Sequence, residues 1–206
     1  MIKLPAVVTI TPLCCFSMTA TTAANEYADP TCYMGGSGGY KRFNAPHRLE
    51  LNWLTVANNT ITATPSATAY TVKANGVVAA GSTDIALLRL PALATNGDAF
   101  WVSLRTSSAT VPTSYDTALN ADYVNKLYVH RMPVPTGSGS TGSLTKMVAR
   151  LTVGESFVDY TNGFRVTFQG LTVGSDSATV LVSLACPAGQ YGAAAATGCT
   201  ACAAGR

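Results

Sequence analysis

The sequence predicts a mainly β protein organised around a β-sandwich-like domain, and three observations carry that prediction. The 206-residue chain is rich in Thr (28) and Val (18), whose branched side chains suit a pleated, half-buried surface better than a helix. From Thr60 onward it breaks into short alternating segments separated by turn residues, the pattern of strands. No 3.6-residue apolar rhythm intervenes between them, which favours packed sheets over βαβ units. Ala (31) has the opposite propensity, but much of it lies in Ala/Thr/Gly clusters such as 193–198 that read as loops.

Charge and hydropathy narrow the function classes. Lys+Arg (13) against Asp+Glu (10) leave a net charge of +3, which excludes a nucleic-acid binder working by charge alone. Charged residues make up 11% of the chain and hydrophobic ones 48%, where a soluble domain carries about 25% charged. That balance argues against intrinsic disorder. Thr, Ser, Gly or Asn interrupts every apolar run before the roughly 18 residues that a membrane-spanning helix needs.

Residues 1–24 open with Lys3, run through an apolar stretch from Leu4 to Met18, and end in small residues with Thr21 and Ala23 spaced like a cleavage site. They read as a secretory signal. Pro5 and Pro12 weaken the apolar stretch and leave an arbitrary N-terminus as the other reading. Cleavage would remove Cys14 and Cys15 and leave Cys32, Cys186, Cys199 and Cys202, an even number that suits disulfides in an oxidising compartment. Asn58-Asn59-Thr60 is a possible glycosylation sequon at Asn58.

In residues 25–55, Gly35 to Gly39 form a loop. Asn44 can cap a helix, Pro46 is tolerated in its first turn, and Leu49 and Trp53 lie four apart. Together they predict a helix of about three turns over 44–54, ending before an Asn58-Asn59 loop. Residues 56–185 form the β-sandwich domain, with strands at Ala69–Lys73, Ile85–Leu90, Phe100–Arg105, Lys126–Arg131, Lys146–Val153, Gly163–Gln169 and Ala178–Leu184. In Phe100–Arg105 the apolar Phe100, Val102 and Leu104 share the face expected to be buried, opposite Trp101, Ser103 and Arg105. Asn162-Gly163 matches a two-residue type I′ hairpin turn, and Pro133 to Ser143 reads as a flexible insertion. Residues 186–206 form a partial Cys-rich repeat, whose Cys199-x-x-Cys202 reads as disulfide-forming in preference to zinc-binding.

Candidate catalytic residues are sparse. Gly35 to Gly39 matches G-x-S-x-G around Ser37 but lacks the core strand and following helix of a nucleophile elbow. Gly137 to Gly142 matches G-x-G-x-x-G inside a linker. The two histidines, His47 and His130, are distant in sequence and form no His-x-x-x-His zinc pair. His130 is expected at the surface or an interface, and His47 packed or hydrogen-bonded at the helix start. Glu26, Glu50 and Glu155 have no neighbouring carboxylate for paired acid–base work.

The segment Glu26-Tyr27-Ala28-Asp29-Pro30-Thr31-Cys32-Tyr33-Met34-Gly35, followed by Phe43-Asn44-Ala45-Pro46-His47-Arg48-Leu49-Glu50-Leu51-Asn52-Trp53-Leu54, resembles the gametolysin family of secreted zinc metallopeptidases of green algae. Phe100–Arg105, Asp122–Arg131 and Gly154–Asp159 are similar to the β-rich region that follows the catalytic part of those proteins. The resemblance spans roughly residues 25–185. It implies that Met34 is the Met-turn residue, shaping the floor of a metal site without ligating the metal. It implies for a full-length parent a zinc metalloendopeptidase acting on cell-wall and extracellular-matrix glycoproteins. Its zinc would sit on a His/Gln-Glu-x-x-His helix and a third histidine ahead of the Met-turn. No such motif occurs here, so the chain is expected to carry no catalytic or metal-ligating residue and no zinc, and to be inactive alone. A truncated gene model, a fragment and a short paralogue fit equally. Without an upstream half-domain, residues 25–54 are expected to be poorly ordered or loosely docked. The rival expectation is a non-catalytic matrix-binding or adhesion module in which Tyr115, Tyr123 and Tyr128 form an aromatic platform for sugars.

Overall fold

A computed structural model of the chain describes residues 15–17, 29, 32, 43–90, 97–106, 116, 119–134, 145–172, 174, 176–186, 188, 190–191 and 199–201. The expectations attached to Thr21, Ala23, Glu26, Met34, Ser37, Tyr115, Cys202 and the stretch 137–142 lie outside these residues. Two short helices are described, α1 (Ala45–Glu50) and α2 (Val56–Asn59). The strands are β1 (Cys15–Ser17), β2 (Thr60–Thr62), β3 (Thr68–Lys73), β4 (Leu87–Leu90), β5 (Asp98–Arg105), β6 (Lys126–Pro133), β7 (Thr145–Leu151), β8 (Ser156–Asp159), β9 (Phe164–Thr172), β10 (Ser177–Leu184), β11 (Gln190–Tyr191) and β12 (Thr200–Ala201). All seven strands expected from alternation form, within a few residues of their expected ends. Strand β1 lies inside the stretch read as a leader and pairs parallel with β7.

Two sheets carry the domain, ordered β1-β7-β6-β5-β4-β2 and β3-β10-β9-β8, with β11 and β12 a separate pair. Their facing sides share one apolar core, including Val72, Leu88, Leu90, Val102, Leu104, Val129, Val166, Phe168, Val180 and Val182. Phe100, Phe157 and Phe164 meet within it, with the Phe100 and Phe164 ring centroids 5.2 Å apart at 70°. The disulfide Cys186–Cys199 closes the tail beside β11 and β12, as expected for two of the four cysteines.

The second face of the six-stranded sheet departs from expectation. Trp101, Ser103 and Arg105 were expected away from the core, yet they are 0%, 2% and 2% exposed. A second apolar cluster covers this face, joining Ala45, Leu49 and Leu54 to Val78, Leu87, Ala99, Trp101 and Met132. The central sheet is thus buried on both sides, and residues 43–54 dock firmly rather than loosely, because their apolar side chains complete this cluster.

Two local expectations also change. The helix runs only from Ala45 to Glu50, with Asn44 as its cap and Leu51 closing it, and Asn52 then takes a left-handed φ of 58°. Leu49 and Trp53 therefore share no helical face: Leu49 is buried, while Trp53 is 46% exposed and meets Phe43 edge-on. A second short helix, capped by the Thr55 side chain, replaces the loop expected at Asn58 and Asn59. The β8–β9 hairpin forms, but Asp159 pairs with Phe164, so four residues turn the chain. The Asp159 carboxylate accepts from the backbone N–H of Thr161 and Asn162 and from Asn162 Nδ2. It thereby organises a longer loop in which, of Asn162 and Gly163, only Gly163 has positive φ.

At the far end of β5, Arg105 forms a sealed ion pair with Asp116, Nη1 to Oδ1 at 2.5 Å. Gly76 makes room for it, since a Cβ there would meet Asp116 Oδ2 at 2.7 Å. Gly76→Ala should lower unfolding free energy in urea by about 1–3 kcal/mol through overpacking against a buried charge pair. Gly170→Ala, with nothing within 4 Å, should stay within about 0.5 kcal/mol of the parent; equal losses would show that the Gly76–Asp116 approach is unimportant.

Candidate functional site

The covered face of the central sheet gathers the polar residues that the sequence scatters. Strand β6 alternates Leu127 and Val129 toward the inter-sheet core with Tyr128, His130 and Met132 toward the helix layer. His130 lies opposite Trp101 on β5 and Met147 on β7, beside a register shift after Val129. It is 1% exposed, so the expected surface position is corrected: both faces of its strand are covered. The Tyr128 and His130 rings stack with centroids 6.2 Å apart.

Helix α1 brings the second histidine to this face. Six residues are too few for a stable isolated helix, and here the cap and burial hold it. Asn44 Oδ1 accepts from His47 N at 2.9 Å. Asn44 Nδ2 donates to Asp29 Oδ2 at 3.2 Å, and the same oxygen lies 3.3 Å from His130 Nε2. Asp29 Oδ2 is thus shared between Asn44 and the His130 ring. His47 Nδ1 lies 3.5 Å from Cys32 Sγ. Cys32 is disulfide-bonded, so its sulfur has no proton to give and the ring nitrogen donates. His47 thus packs and hydrogen-bonds at the helix start as expected. Next to it, Arg48 donates to the Asn75 backbone oxygen and Oδ1 and to the Val78 backbone oxygen, at 2.7 to 2.8 Å.

Asp29, Cys32, Asn44, His47 and His130 are each at most 1% exposed. Burial lowers the His47 pKa to about 4, with His130 acting in the same direction and Asp29 opposing. The imidazole is therefore neutral at pH 7. Burial pushes the Tyr128 phenol upward, which keeps it a donor, and its hydroxyl donates to the Tyr123 backbone oxygen at 2.7 Å.

Chemically, this cluster clamps. A Cys–His nucleophile needs a thiolate, which the disulfide at Cys32 forbids. Zinc needs donor atoms that converge and remain uncommitted. Here Asp29 Oδ2 serves Asn44 and His130 while His47 Nδ1 faces a disulfide sulfur, and among the described residues no group of three or more His, Cys, Asp or Glu is placed to hold a metal ion. The described residues do not fit a zinc site. Glu155 is fully exposed, its pKa lowered by hydrogen bonds from Thr152, and it caps a turn; Glu50 is buried in α1.

The aromatic platform is corrected as well. Tyr128 is 1% exposed, and Tyr123 is half-buried beneath Arg150, whose guanidinium carbon lies 5.0 Å from the ring centroid. Asn58 is exposed on α2, its backbone N–H bonded to Thr55. What the sequence reading missed is that Asp29 and Asn44 join the histidines. The available signal was β6 itself, apolar on alternate residues of both faces, which marks a strand buried on both sides.

Asn44→Ala should cost about 2 kcal/mol in urea unfolding, losing both cap and carboxylate partner. Asn44→Asp retains a good capping residue but sets a second carboxylate against Asp29. It should be at least as damaging at pH 7, and its deficit against wild type at matched pH should shrink toward pH 4 as one carboxyl protonates. Wild-type stability in Asn44→Asp would contradict the Asp29 contact.

Comparison with known proteins adds one match. A family model described as Gametolysin peptidase M11 covers residues 18–161, more than half the chain and from α1 through β8. No curated protein and no solved structure matches.

Proposed function

The chain belongs to the gametolysin peptidase family, and from that premise we propose that it forms the rear part of a secreted zinc metalloendopeptidase, supplying the underside of the catalytic region and its β body without catalysing alone. The observation that carries this reading is the clamp. Asp29 and Cys32, which precede the methionine that the family resemblance marks as the Met-turn, are buried against α1 and β6. Two side chains fixed in this way give firm support, and catalytic constellations need support held to fractions of an ångström.

Inactivity in isolation is supported by the histidine inventory. The sequence has two histidines, and both serve the clamp. In the full-length parent, zinc would polarise the scissile carbonyl and activate water, using residues that this chain does not offer. The disulfides at Cys32 and within the tail agree with an oxidising, extracellular destination. The family supports peptide bonds of cell-wall and matrix glycoproteins as the parent's substrate.

The purified chain, with disulfides intact, should show no stoichiometric zinc by elemental analysis and no cleavage of a generic protein substrate. Stoichiometric zinc together with chelator-sensitive cleavage would overturn the proposal.

A further inference from the structure

We propose that Asp29, Asn44, His47 and His130 form an acid-released latch that holds Asp29 and Cys32, together with helix α1, on the six-stranded sheet. The inference is independent of the functional reading above, since it concerns this chain's own folding equilibrium. Three contacts close the latch: Asn44 to Asp29, His130 to Asp29 and His47 to the Cys32 sulfur. All are buried, and all join α1 or β6 to Asp29 or Cys32.

The charge environment of His47 decides what acid does. On its own helix stand Arg48, turned to the Asn75 and Val78 carbonyls, and the buried Glu50. From residues 29 and 32 come Asp29 and the disulfide-bonded sulfur. From β6 comes His130, with Tyr128 stacked on it. A proton added to His47 therefore creates a buried cation beside a second imidazole, and the Asp29 carboxylate is already shared between Asn44 and His130. The closed form resists that proton, whereas an opened, hydrated His47 accepts it at its ordinary value.

The direction follows. Because closed His47 titrates near 4 rather than 6.5, the closed form binds fewer protons between those values, and opening becomes easier as pH falls through that window. The opening constant should rise about 20-fold from pH 7 to pH 5 and about 100-fold by pH 4. The inter-sheet cluster lies on the opposite face of the sheet, and none of its residues is a His, Asp or Glu. The two-sheet body should therefore persist while the latch opens.

Native-state hydrogen exchange on the full chain with disulfides intact tests this, after correction for intrinsic exchange rates. Amides of residues 47–54 should show the 20-fold rise between pH 7 and pH 5, while those of β9 and β10 should not. An NMR titration should place the His47 midpoint near 4. His47→Gln should flatten the pH response of the α1 amides. If that variant does not fold, the wild-type comparison decides alone. The latch is refuted by α1 opening that is independent of pH, by α1 and β9–β10 opening together, by a His47 midpoint near 6.5, or by an undiminished pH response in His47→Gln.

Discussion

The structure depends on one constraint: its central sheet is covered on both faces by different material. Toward the four-stranded sheet, strands β4, β5 and β6 present Leu88, Leu90, Phe100, Val102, Leu104, Leu127 and Val129, and simple apolar packing suffices. Toward the helix layer, the intervening positions include Trp101, Ser103, Arg105, Tyr128 and His130, all buried. Polar groups removed from water are costly unless hydrogen-bonded, so this face requires partners from elsewhere in the chain. Asp116 meets Arg105, the Met132 carbonyl meets the Trp101 indole, and Asp29 meets His130.

Asn44 shows how local and long-range order are joined in one side chain. Its oxygen satisfies a first-turn N–H of α1, which any good cap would do, and its amide nitrogen fixes a carboxylate fifteen residues earlier. The short helix thus acquires its tertiary position and its N-terminus from the same residue. Arg48 performs the complementary task one position beyond His47. Its guanidinium satisfies carbonyls of Asn75 and Val78, and Asn75 in turn donates to the Phe43 carbonyl just before the helix. Helix, preceding segment and the 75–78 turn are tied in a closed circuit, and such networks gain rigidity when every member is satisfied.

Much of the body was legible in the sequence. Alternation located all seven expected strands, because period-two patterning directly reports a sheet surface. Asn44 and Pro46 announced the start of α1. The end of that helix was not legible: nothing local predicts that Asn52 adopts a left-handed φ, and the four-residue spacing of Leu49 and Trp53 misleads once the helix has stopped. The β8–β9 turn shows the same limit, since Asp159 organises a four-residue loop that the Asn-Gly dipeptide alone does not reveal. The clamp was least legible, because its members come from residues 29 to 130 and convergence across that distance is a property of topology. Even so, Tyr128, His130 and Met132 alternating with Leu127 and Val129 indicated a strand with no wet side, so an exposed His130 was the weaker inference.

That burial decides what the histidines can do. An imidazole serves catalysis or metal binding when one nitrogen faces an accessible ligand and the other is oriented by a partner. In this chain the orienting half of that arrangement is present: a carboxylate holds His130 and a helix cap positions His47. The accessible half is missing, because both rings are at most 1% exposed, and His130 Nε2 lies against Asp29 while His47 Nδ1 lies against a disulfide sulfur. A peptidase-family chain therefore uses His, Asp and Cys as tension members between a helix and a sheet. Their value lies in being neutral or paired and dry, which is the opposite requirement from that of an active site.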